Sequence, residues 1–273
     1  MVFSPDALAG RVAMITGGGS GIGFGIAKAF AQAGARLALA SRNLERLNIA
    51  VDHIKSIGGE AIAVQVDVRS FENVSDAVQR AIDAYGSLDI MIANAAGNFV
   101  VPAAEMSPNA WKVVIDIDLN GTFFCARAAH DALKASRFGG RLIAISTTRA
   151  LEGWPGCAHA GAAKAGIISL MRTLAGEWGV DGIRCNTIAP GAIGDTEGVK
   201  RIYETQGRAE RELSSVPLGV FGKTDDIANA AVFLCSDGGS YITGADLVVD
   251  GGRNRSRAGS GVPMPSSSDR PAS

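Results

Sequence analysis

The chain has 273 residues, 47% of them hydrophobic, enough to bury one large core and too few for two full domains. With 26 basic against 27 acidic residues its formal charge is −1. That excludes the broad basic face that nucleic acid or an anionic membrane surface needs, and leaves a small-molecule ligand as the expectation.

The N-terminal segment Met1–Gly10 has no basic stretch followed by an apolar one. No apolar run in the chain approaches the ~20 residues of a membrane span, so a cytoplasmic chain is expected. Cys125, Cys157, Cys185 and Cys235 form no CxxC pair, and His53, His130 and His159 no HxxxH spacing, so buried thiols and no metal site are expected.

From residue 11 onward, short aliphatic runs alternate with segments of period near 3.6, the pattern of a parallel sheet covered by helices on both faces. The first strand, Val12–Ile15, runs into Thr16-Gly17-Gly18-Gly19-Ser20-Gly21-Ile22-Gly23 and then a helix with the apolar stripe Ile22, Ile26, Ala29, Phe30 and Ala33. Glycines in that context let the backbone approach a pyrophosphate, which the free amides and positive dipole end of the helix stabilise. The sequence therefore predicts a seven-stranded, doubly wound (Rossmann) α/β domain over residues 1–252.

The second strand, Arg36–Ala40, leads into Ser41-Arg42, where an NAD-selective site would present a carboxylate to the ribose. A guanidinium there can pair with a 2′-phosphate, so NADP(H) is the expected cofactor, the plainer alternative being a solvated loop charge. The third strand, Ala61–Val66, precedes Asp67-Val68-Arg69 and a helix with the stripe Val74, Ala77, Val78, Ala81 and Ile82. The fourth, Ile90–Ala93, precedes Asn94-Ala95-Ala96-Gly97. Ser107 is placed as an N-cap and Pro108 in the first turn of a helix that runs past Asp118.

The fifth strand, Arg141–Ser146, is followed by Thr147, and the helix after Pro155 carries Lys164. The sixth, Arg184–Ile188, leads to Pro190-Gly191, and the seventh, Leu247–Val249, to Asp250-Gly251-Gly252. From Arg253 the composition shifts to Gly, Ser, Pro and Arg, so residues 253–273 are expected to form a mobile tail without a catalytic role.

TGGGSGIG, Asp67-Val68, NAAG, Pro190-Gly191 and the closing Asp-Gly-Gly, in this order across about 240 residues, resemble the short-chain dehydrogenase/reductase family. The resemblance implies a cofactor site made of Gly17, Gly19, Ser20, Gly21, Ile22, Arg42, Asp67, Val68, Asn94, Lys164, Pro190, Gly191 and Ile193. In the usual member, a tyrosine four residues before the helical lysine transfers the proton. Here that position is Ala160, and a methyl group carries no proton.

The family's serine corresponds to Thr147 and its asparagine to Asp118. Ala-Gly-Asn-Phe at 96–99, Asp-Ile-Asp at 116–118, His-Ala-Gly-x-Ala-Lys at 159–164 and Thr-Glu-Gly at 196–198 look like the peroxisomal type of 2,4-dienoyl-CoA reductase, a branch that also lacks the tyrosine. That likeness implies NADPH-dependent reduction of a dienoyl-CoA to a 3-enoyl-CoA. Asp118 and Lys164 would hold the proton-donating water, with Thr147 as a hydrogen-bond donor.

It further implies contacts to the acyl-CoA substrate from Arg69, Phe99, Ser107, Asn109 and Arg201, the plainer alternatives being solvated charges for the arginines and core for Phe99. A homotetramer is the family's usual assembly. The Pro-Ala-Ser end carries no peroxisomal address. Two alternatives stand beside this reading: a reductase of another carbonyl or enoyl substrate that protonates through Tyr203, and a catalytically silent nucleotide-binding protein. His159 adjoins Ala160 but points about 100° away from it on a helix, which ranks it below Asp118 as a proton donor.

Overall fold

The computed structural model describes residues 2–196 and 208–254. The expectations for Arg201, Tyr203, the Glu197-Gly198 pair and residues 255–273 lie outside them. Seven strands, β1 (Val12–Thr16), β2 (Arg36–Ser41), β3 (Glu60–Gln65), β4 (Ile90–Ala93), β5 (Gly140–Ile145), β6 (Ile183–Pro190) and β7 (Asp246–Val249), form one sheet in the order β3-β2-β1-β4-β5-β6-β7. Every pair is parallel. The predicted architecture stands, with strand ends shifted by one or two residues.

Because successive residues of a strand face opposite sides, each strand feeds two cores. Ala13, Ile15, Leu37, Leu39, Ile90 and Ile92 pack under α1 (Gly21–Gln32), α2 (Leu44–Ser56) and the late helix Thr224–Cys235. Val12, Met14, Ala38, Ala40, Met91 and Leu142 pack on the other face under α3 (Phe71–Tyr85) and two helices described below. Phe30, from the predicted α1 stripe, is fully buried. Truncating such a ring to alanine costs about 3–5 kcal/mol, so Phe30→Ala would remove much of the domain's stability.

Strand order reverses between β1 and β4, and there the carboxyl ends of the strands diverge into a crevice. Helix α4 (Pro108–Ile115) begins as predicted, with the Ser107 side chain accepting from Ala110 N at 3.1 Å and proline in its first turn. It does not run smoothly past Asp118. A π-helical turn, Asp116–Asn120, separates α4 from α5 (Gly121–Lys134). Such wide turns recur at functional sites, and this one carries Asp118 into the interior. Gly121 closes it against Val68: a Cβ there would lie 2.9 Å from Val68 Cγ2, so only glycine lets the turn dock on the end of β3.

The chain continues through α6 (Arg149–Glu152), α7 (Ala158–Trp178), α8 (Arg208–Ser214) and α9 (Thr224–Cys235). Arg253, which composition assigns to the tail, is instead held by the fold. Its guanidinium contacts Glu152 at 2.8 Å and Glu212 at 2.5 Å, and Arg149 reaches the same Glu212 at 2.7 Å. The packed domain therefore extends past Gly252. All four cysteines are buried and free, and burial pushes the Cys125, Cys185 and Cys235 thiols up to about 12. Among the described residues, no helix is long and apolar enough to cross a membrane.

Candidate active site

The first half of the site is the loop between β1 and α1. Gly17 has φ +67°, and a Cβ on Gly23 would lie 2.4 Å from the Gly17 carbonyl oxygen, so glycine at both positions permits the tight turn. Thr16 and Asn94 brace it from beneath. Asn94 Nδ2 donates to the Thr16 carbonyl at 2.9 Å, while Thr16 Oγ1 accepts from the amides of Asn94 and Ala95 at 3.0 and 3.1 Å. Asn94 thus shapes the loop, and its amide group is already engaged there.

Above this loop lies a cleft of about 290 Å³ lined by Gly17, Gly19, Ser20, Arg42, Asp67 and Val68, six of the residues expected to hold the nucleotide. Ser20 stands at the N-cap of α1, and its side chain makes no capping bond. The free amides of the first helical turn therefore face the cleft, as anion binding requires. Gly21 and Ile22 open α1, where Ile22 is half-buried against the core.

Arg42 is exposed at the rim, and Arg46, in the first turn of α2, lines the same cleft. Asp67 is ion-paired with Arg69, whose Nη2 lies 2.5 Å from Oδ2, and that hydrogen-bonded guanidinium holds the Asp67 carboxyl below its usual range. Arg69 therefore stands beside this cleft with its guanidinium folded onto Asp67.

The second half of the candidate site is assembled from the π-turn, the end of β5 and the start of α7. Asp118 is 1% exposed. Its Oδ1 accepts from Gly97 N at 2.7 Å and its Oδ2 lies 3.4 Å from Lys164 Nζ. Lys164 Nζ also donates to the Ile145 carbonyl at 2.8 Å. The carboxylate is thus fixed by a backbone amide on one oxygen and faces an ammonium with the other.

Ala160 is buried one turn before Lys164, with no proton-bearing side chain. Thr147 is half-buried after β5, and among the described residues its hydroxyl accepts only a long contact, 3.4 Å, from Arg149 N. Its hydrogen has no acceptor among them and can donate to a ligand.

Phe99 follows the NAAG segment, 42% exposed, and its ring meets the fully buried His159 ring edge-on at 4.5 Å. Burial holds His159 below the ordinary imidazole range, so the ring is neutral near pH 7. Ser107 spends its hydroxyl oxygen on the α4 cap, and Asn109 is exposed on the same turn. Ile193 is buried beyond the end of β6, Gly191 N donates to the Val249 carbonyl at 2.9 Å, and the Pro190 carbonyl accepts from Thr148 N at 3.2 Å.

A glycine cradle at the switch point, opposite a buried Asp-Lys pair at the carboxyl end of the sheet, is the layout of a nucleotide-dependent oxidoreductase. Residues 17–254 match the family model described as Enoyl-(Acyl carrier protein) reductase. The chain belongs to the short-chain dehydrogenase/reductase family.

It is 43% identical over 244 residues to a Bacillus subtilis protein described as a (2E)-enoyl-CoA-producing 2,4-dienoyl-CoA reductase, covering 89% of this chain and 96% of that one. It is 44% identical to a (3E)-enoyl-CoA-producing peroxisomal 2,4-dienoyl-CoA reductase of Saccharomyces cerevisiae, covering 92% and 86%. Among solved structures, one from Beutenbergia cavernae matches with TM-score 0.87 at 32% identity, covering 93% of this chain and all of the other. That protein is described as an NAD(P)-dependent gluconate 5-dehydrogenase and carries NADP at low occupancy. Family membership makes the protein an oxidoreductase.

The sequence reading passed over Arg46, whose signal is its place four residues after Arg42, in the first turn of α2.

Proposed function

We propose that the protein uses NADPH to reduce a 2,4-dienoyl-CoA to a 3-enoyl-CoA. The observation that carries this reading is the buried Asp118–Lys164 pair, 3.4 Å apart, standing beside an alanine where the family tyrosine would be. A site reducing an isolated ketone needs an acid on the carbonyl oxygen. A conjugated dienoyl thioester instead spreads the incoming charge to its thioester oxygen and accepts a proton at carbon, which a positioned water can deliver.

The cleft fits the cofactor. Its glycines admit a pyrophosphate, and Arg42 with Arg46 suits a 2′-phosphate. Bound NADPH would supply a hydride for the δ-carbon of the substrate. Lys164 would hold the nicotinamide ribose and, with Asp118, a water, while Thr147 donates toward the thioester. Phe99, Ser107 and Asn109 would line the acyl-CoA path, with Arg69 and Arg201 meeting its phosphates. Kinship with the dienoyl-CoA reductases of bacteria and peroxisomes supports the substrate class. The same reading places the enzyme in fatty acid breakdown, as a cytoplasmic homotetramer.

The named relatives make two different products, and the position of protonation separates them. Delivery at the α-carbon leaves the 3-enoyl product; delivery at the γ-carbon leaves the 2-enoyl. Reduction of 2,4-hexadienoyl-CoA by NADPH in deuterated water, read by NMR, is expected to place deuterium at the α-carbon. No turnover of any dienoyl-CoA, or faster reduction of a 3-oxoacyl-CoA, would overturn the reading.

A further inference from the structure

Asp118 sits in the middle of the π-turn Asp116–Asn120. A π-turn holds one residue more than an α-turn, so relaxing it to α-helical bonding would rotate the residues on one side of it by about 100°. Asp118 would then leave the side on which Lys164 stands. At 3.4 Å from Lys164 Nζ, its carboxylate has little reach to spare. Whatever holds the turn therefore sets where the acid points.

Three contacts hold it. At its start, Asp116 accepts from Asn120 Nδ2 at 2.9 Å and pairs with Lys112, whose side chain is largely exposed. At its end, Gly121 rests on Val68. The third contact is internal: Thr122, 4% exposed, donates its hydroxyl to the Asp118 carbonyl at 2.6 Å. Of the three, the last alone acts on the peptide of Asp118 itself. A surface ion pair holds its end weakly, whereas water cannot replace a hydrogen bond made in a dry place.

The hydroxyl has no other use in α5. The remaining buried residues of that helix, Gly121, Cys125, Ala126, Ala129 and Leu133, carry none, and a valine of the same branched shape would fill the position of Thr122. A threonine bonded to the carbonyl four residues back bends a helix. Here the bond falls on the residue that carries the candidate acid.

We propose that Thr122 is a positioning residue: through the Asp118 carbonyl, its hydroxyl keeps the π-turn in the shape that aims the carboxylate at Lys164 and at the proton-donating water. The assignment rests on the dienoyl-CoA reading above. Thr122 itself gives and takes no proton from the substrate.

The test measures kcat on 2,4-hexadienoyl-CoA and NADPH for Thr122→Val and Thr122→Ser. Val keeps the shape without the hydroxyl and is expected to lower kcat about tenfold, the scale of one hydrogen bond, while Ser keeps the hydroxyl and most of the rate. Undiminished kcat in the Val variant overturns the proposal. A double-mutant cycle separates positioning from a merely structural role. With Asp118→Ala there is no carboxylate to aim, so adding Thr122→Val should change the residual kcat by less than about twofold. The same fold-loss in both backgrounds would show that Thr122 acts on the fold and not on Asp118.

Should the Val variant fail to fold, Thr122→Ser and Thr122→Ala decide, since both lose the methyl and differ only in the hydroxyl. Ser is expected to turn over about tenfold faster than Ala, and equal rates overturn the proposal. Wild-type enzyme inactive on every dienoyl-CoA would instead remove the functional reading itself, and this assignment with it.

Discussion

Asp118 Oδ2 lies 3.4 Å from Lys164 Nζ, and the two side chains are 1% and 9% exposed. The pair joins a π-turn to a helix 46 residues later, and each member has a second anchor, Gly97 N for the acid and the Ile145 carbonyl for the base. Both groups are therefore held before any ligand arrives.

Replacing Asp118 with alanine removes the group that would hold the proton-donating water while leaving the nucleotide cleft intact. The expected loss in kcat with a dienoyl-CoA is about 10²-fold or more, with nearly unchanged NADPH affinity. Lys164→Ala should reduce both turnover and cofactor affinity. Steady-state kinetics with calorimetric titration of NADPH checks the split, and an undiminished kcat in the Asp118 variant would contradict it.

The proposed cofactor choice rests on two guanidinia, Arg42 at the rim and Arg46 in the first turn of α2. NADPH is expected to bind at least about tenfold tighter than NADH, a difference of ~1.4 kcal/mol. Arg42→Asp should invert the preference, and adding Arg46→Ala should weaken NADPH further without touching NADH. Equal affinities of the wild-type protein for the two cofactors would show that both arginines are solvated charges.

The sheet and the glycine loop were legible because their signals are local: aliphatic runs, glycines at fixed spacing, a serine-proline helix start. The π-turn was not, since it depends on Gly121 meeting Val68, more than fifty residues earlier in the chain. Arg253 was misplaced for a similar reason. Composition reads an arginine in a stretch of Gly, Ser, Pro and Arg as tail, while its partner Glu152 stands 101 residues away. His159 likewise looks like an ordinary helix residue until the full burial of its ring is seen.

Arg149, Glu152, Glu212 and Arg253 form a ring of ion pairs that ties α6, α8 and the last strand's exit together. Glu212, about one-tenth exposed, contacts both arginines. Glu212→Gln leaves two half-buried guanidinia short of charge and should destabilise the domain by about 1–3 kcal/mol, below the loss for a fully buried pair because solvent screens part of it. Thermal unfolding measures this. Deleting residues 255–273 should leave the melting temperature unchanged, whereas a deletion starting at Arg253 should lower it.

Arg69 is folded onto Asp67, next to the nucleotide cleft. Its proposed role is to meet a phosphate of coenzyme A, so Arg69→Ala should raise KM for dienoyl-CoA by about tenfold, the scale of one charged hydrogen bond. KM for the matching dienoyl-pantetheine, which lacks the nucleotide, should hardly move. Equal increases on both substrates would show that Arg69 acts only by holding Asp67.

Ala160→Tyr addresses the feature in which this chain departs furthest from its family's habit. The substitution restores a phenol one helical turn before Lys164, the spacing used by ordinary members. Ala160 is 1% exposed and packs with Val114, Cys157 and Trp154, so a ring has no room in that cluster and must turn toward the Asp118–Lys164 pair. There it would occupy the place of the proposed water and crowd the dienoyl chain, and overpacking of this kind also destabilises by about 1–3 kcal/mol. Dienoyl-CoA reduction should therefore fall, with at best weak activity gained on a 3-oxoacyl-CoA, where the new phenol can protonate an alkoxide. Rates on both substrates, measured beside the melting temperature, separate displacement of water from loss of folding. A variant that folds and reduces dienoyl-CoA as fast as wild type would show that protonation does not depend on the space beside Asp118.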